Sequence, residues 1–211
     1  MDINFRTYKK QDKMQCCAML ADTWQYDKYF PNLKKPILYS IIIFEKYLFE
    51  SDYKEVIVDQ DDNILGFLFG QTKKQTLLDK LKYIGFSLKV GINWLLGFYG
   101  KRSILFNIVK DMNTAEEELF KDFNSQDATL NLFFTKTRGK GLGKILLSRF
   151  ESYCKASGKN NIVLLTDTDC NYGFYDKAGF NLYNKIEGCF GVIQSEEEKK
   201  STATFVYIKP L

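Results

Sequence analysis

The sequence predicts an α/β (α+β) fold, with a central sheet of about seven strands flanked by helices. Three observations lead to this prediction. Segments rich in β-branched and aromatic residues recur along the chain, helical patterns separate several of them, and a glycine-rich loop near residue 140 joins a strand to an amphipathic helix. The 211 residues, 45% of them hydrophobic and 27% charged, suffice for a full core. We therefore expect a single domain over 1–211.

The N-terminal part predicts a strand, two helices and a hairpin. Residues 3–5 alternate between apolar and polar, as in a half-buried strand. Asp12 is a candidate N-cap for a helix reaching about residue 26. Pro36 opens a second helix to residue 49, because Pro is tolerated in a first helical turn. The hairpin strands are apolar on both faces, as in a sheet covered on both sides, and span 55–58 and 64–70.

Residues 73–126 depart from this rhythm and are predicted to form a helical insertion. A capping box at Thr114 and Glu117 would divide the last of its helices. The predicted helices of the insertion are 77–88, 90–99 and 103–123.

One part of the insertion, 84–106, is apolar on average but contains three cations. It lacks the ~20 uninterrupted apolar residues of a spanning helix. Buried helices explain it, with a peripheral membrane contact as the alternative. Three aromatic residues there either pack in a core or line a pocket or lid: Trp94, Phe98 and Tyr99.

The C-terminal part predicts four strands and two helices. Ile145, Leu146 and Phe150 recur at helical spacing after the glycine-rich loop. Gly179 is a typical C-terminal stop for a short second helix. The predicted strands are 128–135, 161–166, 180–186 and 204–209, the helices are 144–155 and 171–177, and the charged run 195–200 is a solvated loop.

The amino-acid composition limits the kinds of active site, metal site and partner that the chain can have. The chain has no His, which excludes Ser/His/Asp and Cys/His triads and His-containing zinc sites, so acid–base chemistry must use Asp, Glu, Tyr, Lys or Cys. Five Cys without a Cys-x-x-Cys pair, and no recognisable signal peptide, favour free thiols in a reducing cytoplasm and no metal site. The net charge of +4 is too small to indicate a nucleic-acid partner.

The most informative segment is the loop Arg138-Gly139-Lys140-Gly141-Leu142-Gly143. Its glycines let the backbone pass close to a bulky group, and the first amides of the next helix point outward at the positive end of the helix dipole. This arrangement favours a phosphate or pyrophosphate. The spacing matches neither the dinucleotide fingerprint Gly-x-Gly-x-x-Gly nor a Walker loop. It does match Arg-x-x-Gly-x-Gly.

With this loop the sequence resembles the GNAT family of acyl-CoA-dependent N-acyltransferases, whose cofactor motif is Gln/Arg-x-x-Gly-x-Gly/Ala between a strand and a helix. Downstream, residues 171–180 read Asn-Tyr-Gly-Phe-Tyr-Asp-Lys-Ala-Gly-Phe. They are similar to the family's second motif, an Asn followed by Phe-Tyr-x-x-x-Gly-Phe. The resemblance covers most of the chain apart from 73–126. It implies a mixed, mostly antiparallel sheet, splayed where the cofactor strand and the next strand part.

The resemblance also implies residue roles. Loop amides would bind the coenzyme A pyrophosphate, the end of the preceding strand would meet the pantetheine arm, and Tyr175 would be the general acid for the leaving thiolate. Four positions apart in the predicted helix, Asn171 and Tyr175 share one face. A phenol of pKa ~10 can protonate a thiolate whose thiol titrates near ~8.5, although packing under the sheet is the alternative for Tyr175. The implied cofactor-binding residues are Phe133, Phe134, Thr135, Arg138, Gly139, Lys140, Gly141, Leu142, Gly143, Lys144 and Asn171.

Several neighbouring residues have two interpretations. Three carboxylates are either candidate bases for the amine or turn and capping residues: Asp127, Asp167 and Asp169. Three cations either meet the outer phosphate of the cofactor or form an exposed basic helix face: Lys140, Lys144 and Arg149. Cys170 is interpreted as structural, because direct attack by an amine needs no enzyme nucleophile.

These expectations converge on an N-acetyltransferase that passes an acetyl group from acetyl-CoA directly to a primary amine in a ternary complex. The acceptor would be a small molecule or a peptide, with no nucleic acid, no integral membrane segment and no metal, and the chain could form a homodimer. The alternative is a non-catalytic coenzyme A-binding sensor or interaction module. The presence of Tyr175, the candidate general acid, argues against this alternative.

Overall fold

Among the residues that the structure describes, seven strands form one sheet. The structure is a computed structural model that describes residues 2–24, 37–100, 102–137, 139–168, 170–187 and 203–211. The strands follow the order β1-β2-β3-β4-β5-β7-β6 across the sheet. Their bounds are β1 Asn4–Thr7, β2 Tyr53–Val58, β3 Ile64–Gln71, β4 Asp127–Thr135, β5 Asn161–Asp167, β6 Asn181–Glu187 and β7 Ala203–Pro210.

The sheet opens between β4 and β5. These two strands are parallel, whereas all other neighbours are antiparallel. Their pairing ends at Leu130 opposite Leu164, although β4 continues to Thr135 and β5 to Asp167. The predicted mixed, mostly antiparallel and splayed sheet is therefore confirmed.

Helices cover both faces of the sheet. Because alternate residues of a strand point to opposite faces, Phe67 and Phe69 of β3 pack into the core beside α1 and α2, while Leu68 packs into the core beneath α5. The helices are α1 Lys13–Thr23, α2 Ile37–Glu50, α3 Leu77–Leu95, α4 Arg102–Phe120, α5 Leu142–Ala156 and α6 Gly173–Lys177.

The insertion differs from its prediction. One helix, α3, replaces the two helices predicted over 77–88 and 90–99. Thr114 lies inside α4, where its hydroxyl donates to the carbonyl of Lys110 at 3.1 Å. The predicted capping box is therefore wrong, because a hydroxyl inside a helix can bond back to the preceding turn instead of starting a new helix.

Asp12 lies at the N-cap position of α1, as predicted, but its side chain forms no hydrogen bond that caps the helix. Its buried carboxylate instead accepts the amide of Lys9 at 2.7 Å and the fork of the Arg6 guanidinium at 2.7 and 3.0 Å. Asp12 thus ties the turn before α1 to β1. The predictions for Pro36, for the end of the first helix near residue 26 and for 195–200 lie outside the described residues.

Gly70 lets β3 pass under α5. A Cβ at Gly70 would lie 2.2 Å from Cζ of Phe150, whose side chain is fully buried and packs on Tyr53. We expect Gly70→Ala to lower the free energy of unfolding by about 2 kcal/mol or more, because the ring has no room to move. The matched control is Gly85→Ala in α3, where a Cβ meets no atom within 4 Å.

Thermal and denaturant unfolding would compare the two variants. Gly85→Ala should be neutral or stabilising by up to about 1 kcal/mol, because Ala is the better helix former. Equal stability of Gly70→Ala and the unsubstituted protein would contradict the packing described for Phe150.

Candidate active site

The end of β4 presents main-chain groups to the gap in the sheet. The amide of Lys136 donates to the carbonyl of Leu65 at 2.7 Å, on the β3 side. Since successive residues of a strand direct their N–H and C=O groups to opposite edges, Phe133 and Thr135 direct theirs towards the gap. Pairing with β5 stops at Leu130, so these groups can bind an extended ligand as an added strand would.

Phe134, which was predicted with them, faces the other way. Its main chain lies opposite Phe67 in β3, and its ring stacks on Phe67 with centroids 5.3 Å apart. The ring also meets Trp24 on the α1 side of the sheet. Phe134 therefore packs on the α1 side of the sheet and does not line the gap.

The glycine-rich loop lies at the start of α5. Gly139 and Gly141 have left-handed backbones, with φ of 82° and 74°, and a Cβ on either would meet nothing within 4 Å. Gly141 is the N-cap of the 15-residue α5, and no side chain caps that helix. Within the described part of the chain, the amides of 139–144 donate to no loop carbonyl. Unpaired amides at the positive end of a helix dipole form a site for a phosphate or diphosphate.

Gly143 joins this loop to the strand end and to α6. A Cβ there would lie 3.1 Å from Cζ of Phe133 and 3.6 Å from the ring of Phe174. The two rings are in contact, with centroids 5.4 Å apart, and the ring of Tyr175 lies 6.4 Å from Phe133. The glycine-rich loop, the end of β4 and α6 therefore meet around Phe133. In the sequence, only the family motifs connected these three regions.

Tyr175 lies on α6 within a cluster of aromatic rings. No hydrogen bond joins its Oη to another described residue. Burial, and then the nearby Cys170 and Asp167, raise the pKa of the phenol above its usual value, which keeps it protonated. The packing that was considered as the alternative role of Tyr175 therefore also keeps its phenol protonated. The rings around it are Phe133, Phe174, Phe180 and Tyr207, with centroids 5.6–6.4 Å away.

Asn171 lies just before α6 and not on it. The helix begins at Gly173, so the predicted helix start at 171 and the shared helix face with Tyr175 are wrong. The carbonyl of Asn171 accepts the amide of Phe174 at 3.0 Å, which sets the turn into the helix. Its side chain is exposed beside the site.

Two of the three carboxylates considered as bases have turn or strand partners. Asp127 accepts the amide of Asn124 at 3.1 Å and the side chain of Asn161 at 2.7 Å, at the end of β4 opposite to Thr135. Asp167 accepts the amide of Cys170 at 3.0 Å. Arg138 and Asp169 lie outside the described residues.

Cys170 has a protonated thiol, and Arg149 is paired with a carboxylate. Burial and the carboxylate of Asp167 raise the pKa of Cys170 to about 12, so its thiol stays protonated and is a poor nucleophile. Arg149 forms a fork on Glu55, with N–O distances of 2.6 and 2.9 Å, and stacks on Phe5. Lys140 in the glycine-rich loop and Lys144 directly after it are exposed.

The sequence did not single out Phe174 or Tyr207. Phe174 packs on the ring of Phe133 and lies beside Gly143. Tyr207 of β7 donates to Oδ1 of Asp176 at 3.0 Å and so fastens α6 to the sheet. The Phe-Tyr pair in the second motif could have pointed to Phe174, whereas a contact between residues 31 positions apart left no local signal for Tyr207.

The insertion carries a separate apolar cavity of about 300 Å³ between α2, α3 and α4. Trp94 lines it, but no residue of the glycine-rich loop or α6 does. Tyr99 is buried and accepts a hydrogen bond from Tyr39 through its carbonyl at 2.8 Å, whereas Phe98 is exposed. The three aromatic residues therefore lie in different environments: Trp94 lines the cavity, Tyr99 is buried and Phe98 is at the surface.

Among the described residues, no group of three or more Cys, Asp and Glu could hold a metal ion. In the described parts of the chain, no helix combines the length and the hydropathy of a membrane-spanning segment.

Solved structures of acetyltransferases share this fold. An acetyltransferase of the GNAT family from Staphylococcus aureus Mu50 is 13% identical, with a TM-score of 0.55, over 100% of this chain and 99% of that one. A GCN5-related N-acetyltransferase from Kribbella flavida is 13% identical, with a TM-score of 0.55, over 99% and 98%. An aminoglycoside 6'-N-acetyltransferase in complex with coenzyme A is 14% identical, with a TM-score of 0.53, over 100% and 97%.

No protein-family model matches the sequence, and no curated protein matches it either. The similarity is therefore one of three-dimensional structure, and it extends from one end of the chain to the other. Together with the splayed β4 and β5, it shows that this chain has the fold of the GNAT acetyltransferases.

Proposed function

We propose that this chain is a single acyltransferase domain that transfers an acetyl group from acetyl-CoA directly to a primary amine, with both substrates bound at once. One observation carries the proposal. The amides of 139–144, which donate to no loop carbonyl of the described residues, the edge of β4 that β5 leaves after Leu130, and the ring of Tyr175 meet around Phe133.

The main chain supports coenzyme A binding in two places. The amides of 139–144 offer several hydrogen-bond donors to the oxygens of a diphosphate at the positive end of the α5 dipole, with Lys140 and Lys144 nearby for a further phosphate. The edge of β4 at Phe133 and Thr135 suits the amides of a pantetheine arm. Arg138 and Asn171 belong to this proposed set, as the family resemblance implies, whereas Phe134 does not.

The chemistry follows from what these groups can donate. The thioester supplies an activated acetyl group. A strand amide of β4 polarises the acetyl carbonyl as the amine attacks it and the C–S bond breaks. Tyr175 donates its proton to the departing sulfur, and the proton lost by the amine nitrogen passes through water and restores the phenol. Holding the amine beside the thioester supplies most of the remaining acceleration.

Two further features belong to this proposal. Cys16, Cys17, Cys154 and Cys170 are free thiols, which supports a reducing compartment such as the cytoplasm. The acceptor is proposed to be a small-molecule or peptide amine, and the aminoglycoside enzyme among the similar structures supports an amine.

Two measurements test the proposal. Calorimetry should detect acetyl-CoA binding at micromolar concentrations, and a thiol-release assay with a panel of primary amines should detect turnover. Binding without thiol release by any amine would favour the coenzyme A sensor instead. No acetyl-CoA binding at high micromolar concentrations would contradict both functions.

A further inference from the structure

Helix α3 of the insertion exposes a continuous apolar face. Seven large side chains share it, each 54–75% exposed: Leu77, Leu78, Leu81, Ile84, Leu88, Ile92 and Leu95. At 100° per residue they fall within an arc of about 120° along the helix. Leu96 and Phe98, which follow the end of the helix, are also exposed, at 67% and 65%. We call these nine residues the outer face.

The outer face is not the side by which α3 packs on the protein. The opposite side of the helix lines the cavity towards α2 and α4, and Tyr83 and Phe86 there both meet Phe49 of α2. The helix is therefore apolar on two opposite sides, only one of which is covered by described residues. A soluble monomer exposes apolar patches of at most roughly 300–600 Å², so an outer face of nine large apolar side chains indicates a binding surface.

Lysines border the outer face along both edges. On the helical wheel Lys82 and Lys89 adjoin one edge and Lys80 adjoins the other, and all three are exposed. The acidic Asp79 points away from the outer face and accepts a hydrogen bond from Thr76 at 2.6 Å. The borders therefore carry positive charge without neighbouring carboxylates on the helix.

This charge pattern separates two kinds of occupant. A second copy packed on the outer face would bring its own lysine borders, whereas paired helices use opposite charges at the flanking positions. An anionic bilayer surface supplies the missing negative charge. A helix with a broad apolar face of Leu and Ile bordered by Lys is the type that lies in a membrane interface.

We propose that α3 docks this protein onto an anionic lipid bilayer, with the outer face buried at the headgroup boundary and the bordering lysines on lipid phosphates. The helix lies in the plane of the surface and does not cross it. This inference is independent of the reaction proposed for the glycine-rich loop and Tyr175.

Vesicle flotation of the full chain tests the proposal. The protein should float with phosphatidylcholine vesicles that contain phosphatidylglycerol, less with phosphatidylcholine alone, and less at high salt because the lysine contribution is screened. Ile84→Glu combined with Leu88→Glu should lower the partition coefficient by roughly 100-fold. Lys82→Glu combined with Lys89→Glu should lower it only for the anionic vesicles. The control is Leu182→Glu. Leu182 lies on β6, outside α3, and is 53% exposed, so this variant should bind the vesicles like the unsubstituted protein.

Sedimentation velocity and circular dichroism on the same variants complete the test. The substituted side chains are exposed, so all variants should remain folded. Absence of flotation with anionic vesicles would overturn the proposal, as would flotation that Ile84→Glu and Leu88→Glu leave unchanged. A dimer that these two substitutions dissociate, without vesicle binding by the unsubstituted protein, would also overturn it and would assign the outer face to a second copy.

Discussion

Replacing Tyr175 with Phe is expected to lower kcat for acetyl transfer by about 100-fold, because the departing thiolate loses its proton donor. The substitution keeps the ring that packs on Phe133, Phe174, Phe180 and Tyr207, so only Oη is removed. Affinity for acetyl-CoA, measured by calorimetry, should stay unchanged. A thiol-release assay gives kcat.

Tyr172→Phe is the matched control. Tyr172 lies three positions away at the N-cap of α6, is exposed and packs on Phe205. Its substitution removes the same phenolic group close to the site and should change kcat less than about twofold. Full activity of Tyr175→Phe would remove the general acid from the proposed mechanism.

The pH profile gives an independent test of the same group. Burial raises the pKa of Tyr175, so the phenol stays protonated at pH values where an exposed tyrosine has ionised. A proton donor is lost only as the pH rises through its own pKa. We therefore expect no fall in kcat near pH ~10, where an unperturbed tyrosine titrates. An alkaline decline near pH ~10 that Tyr175→Phe abolishes would contradict the buried position of the phenol.

Substituting Gly141 with Asp should weaken acetyl-CoA binding by about 100-fold or more. Asp tolerates the left-handed backbone found at Gly141, so the loop can keep its shape. At an N-cap, its carboxylate accepts the first amides of α5 and repels a diphosphate from the same position. Calorimetry with acetyl-CoA measures the loss.

Gly158→Asp is the control at the other end of α5. Gly158 also has a left-handed backbone, with φ of 69°, and a Cβ there meets nothing within 4 Å. The variant therefore carries the same added charge on the same type of backbone, away from the proposed diphosphate site. It should retain acetyl-CoA affinity within about threefold. Equal weakening by both substitutions would mean that net charge or stability, and not the loop, controls binding.

The sequence predicted the glycine-rich loop and the helix after it because both depend on neighbouring residues. Gly139, Gly141 and the apolar spacing of α5 are local patterns. In the structure both glycines have left-handed backbones, and α5 buries its apolar side chains. The hairpin of β2 and β3 could also be predicted from the sequence, because its strands are apolar on both faces and a short polar turn joins them.

Contacts between distant parts of the chain could not be predicted. Arg149 was considered for the cofactor, but the structure pairs it with Glu55, 94 positions earlier. Asp12 has the residue type of an N-cap, yet the guanidinium of Arg6 engages its carboxylate. The meeting of Gly143, Phe133 and Phe174 likewise depends on how α5, β4 and α6 pack together. Local patterns thus gave the elements, and packing decided which side chains reach the site.

Amide NMR during titration with acetyl-CoA tests the central claim most directly. We predict that the largest shifts of the ¹H–¹⁵N resonances occur at residues 139–144, with further shifts at Phe133 and Thr135, because their N–H groups would donate to the ligand. Saturable binding whose shifts instead cluster at the cavity between α2, α3 and α4, with residues 139–144 unmoved, would contradict the account.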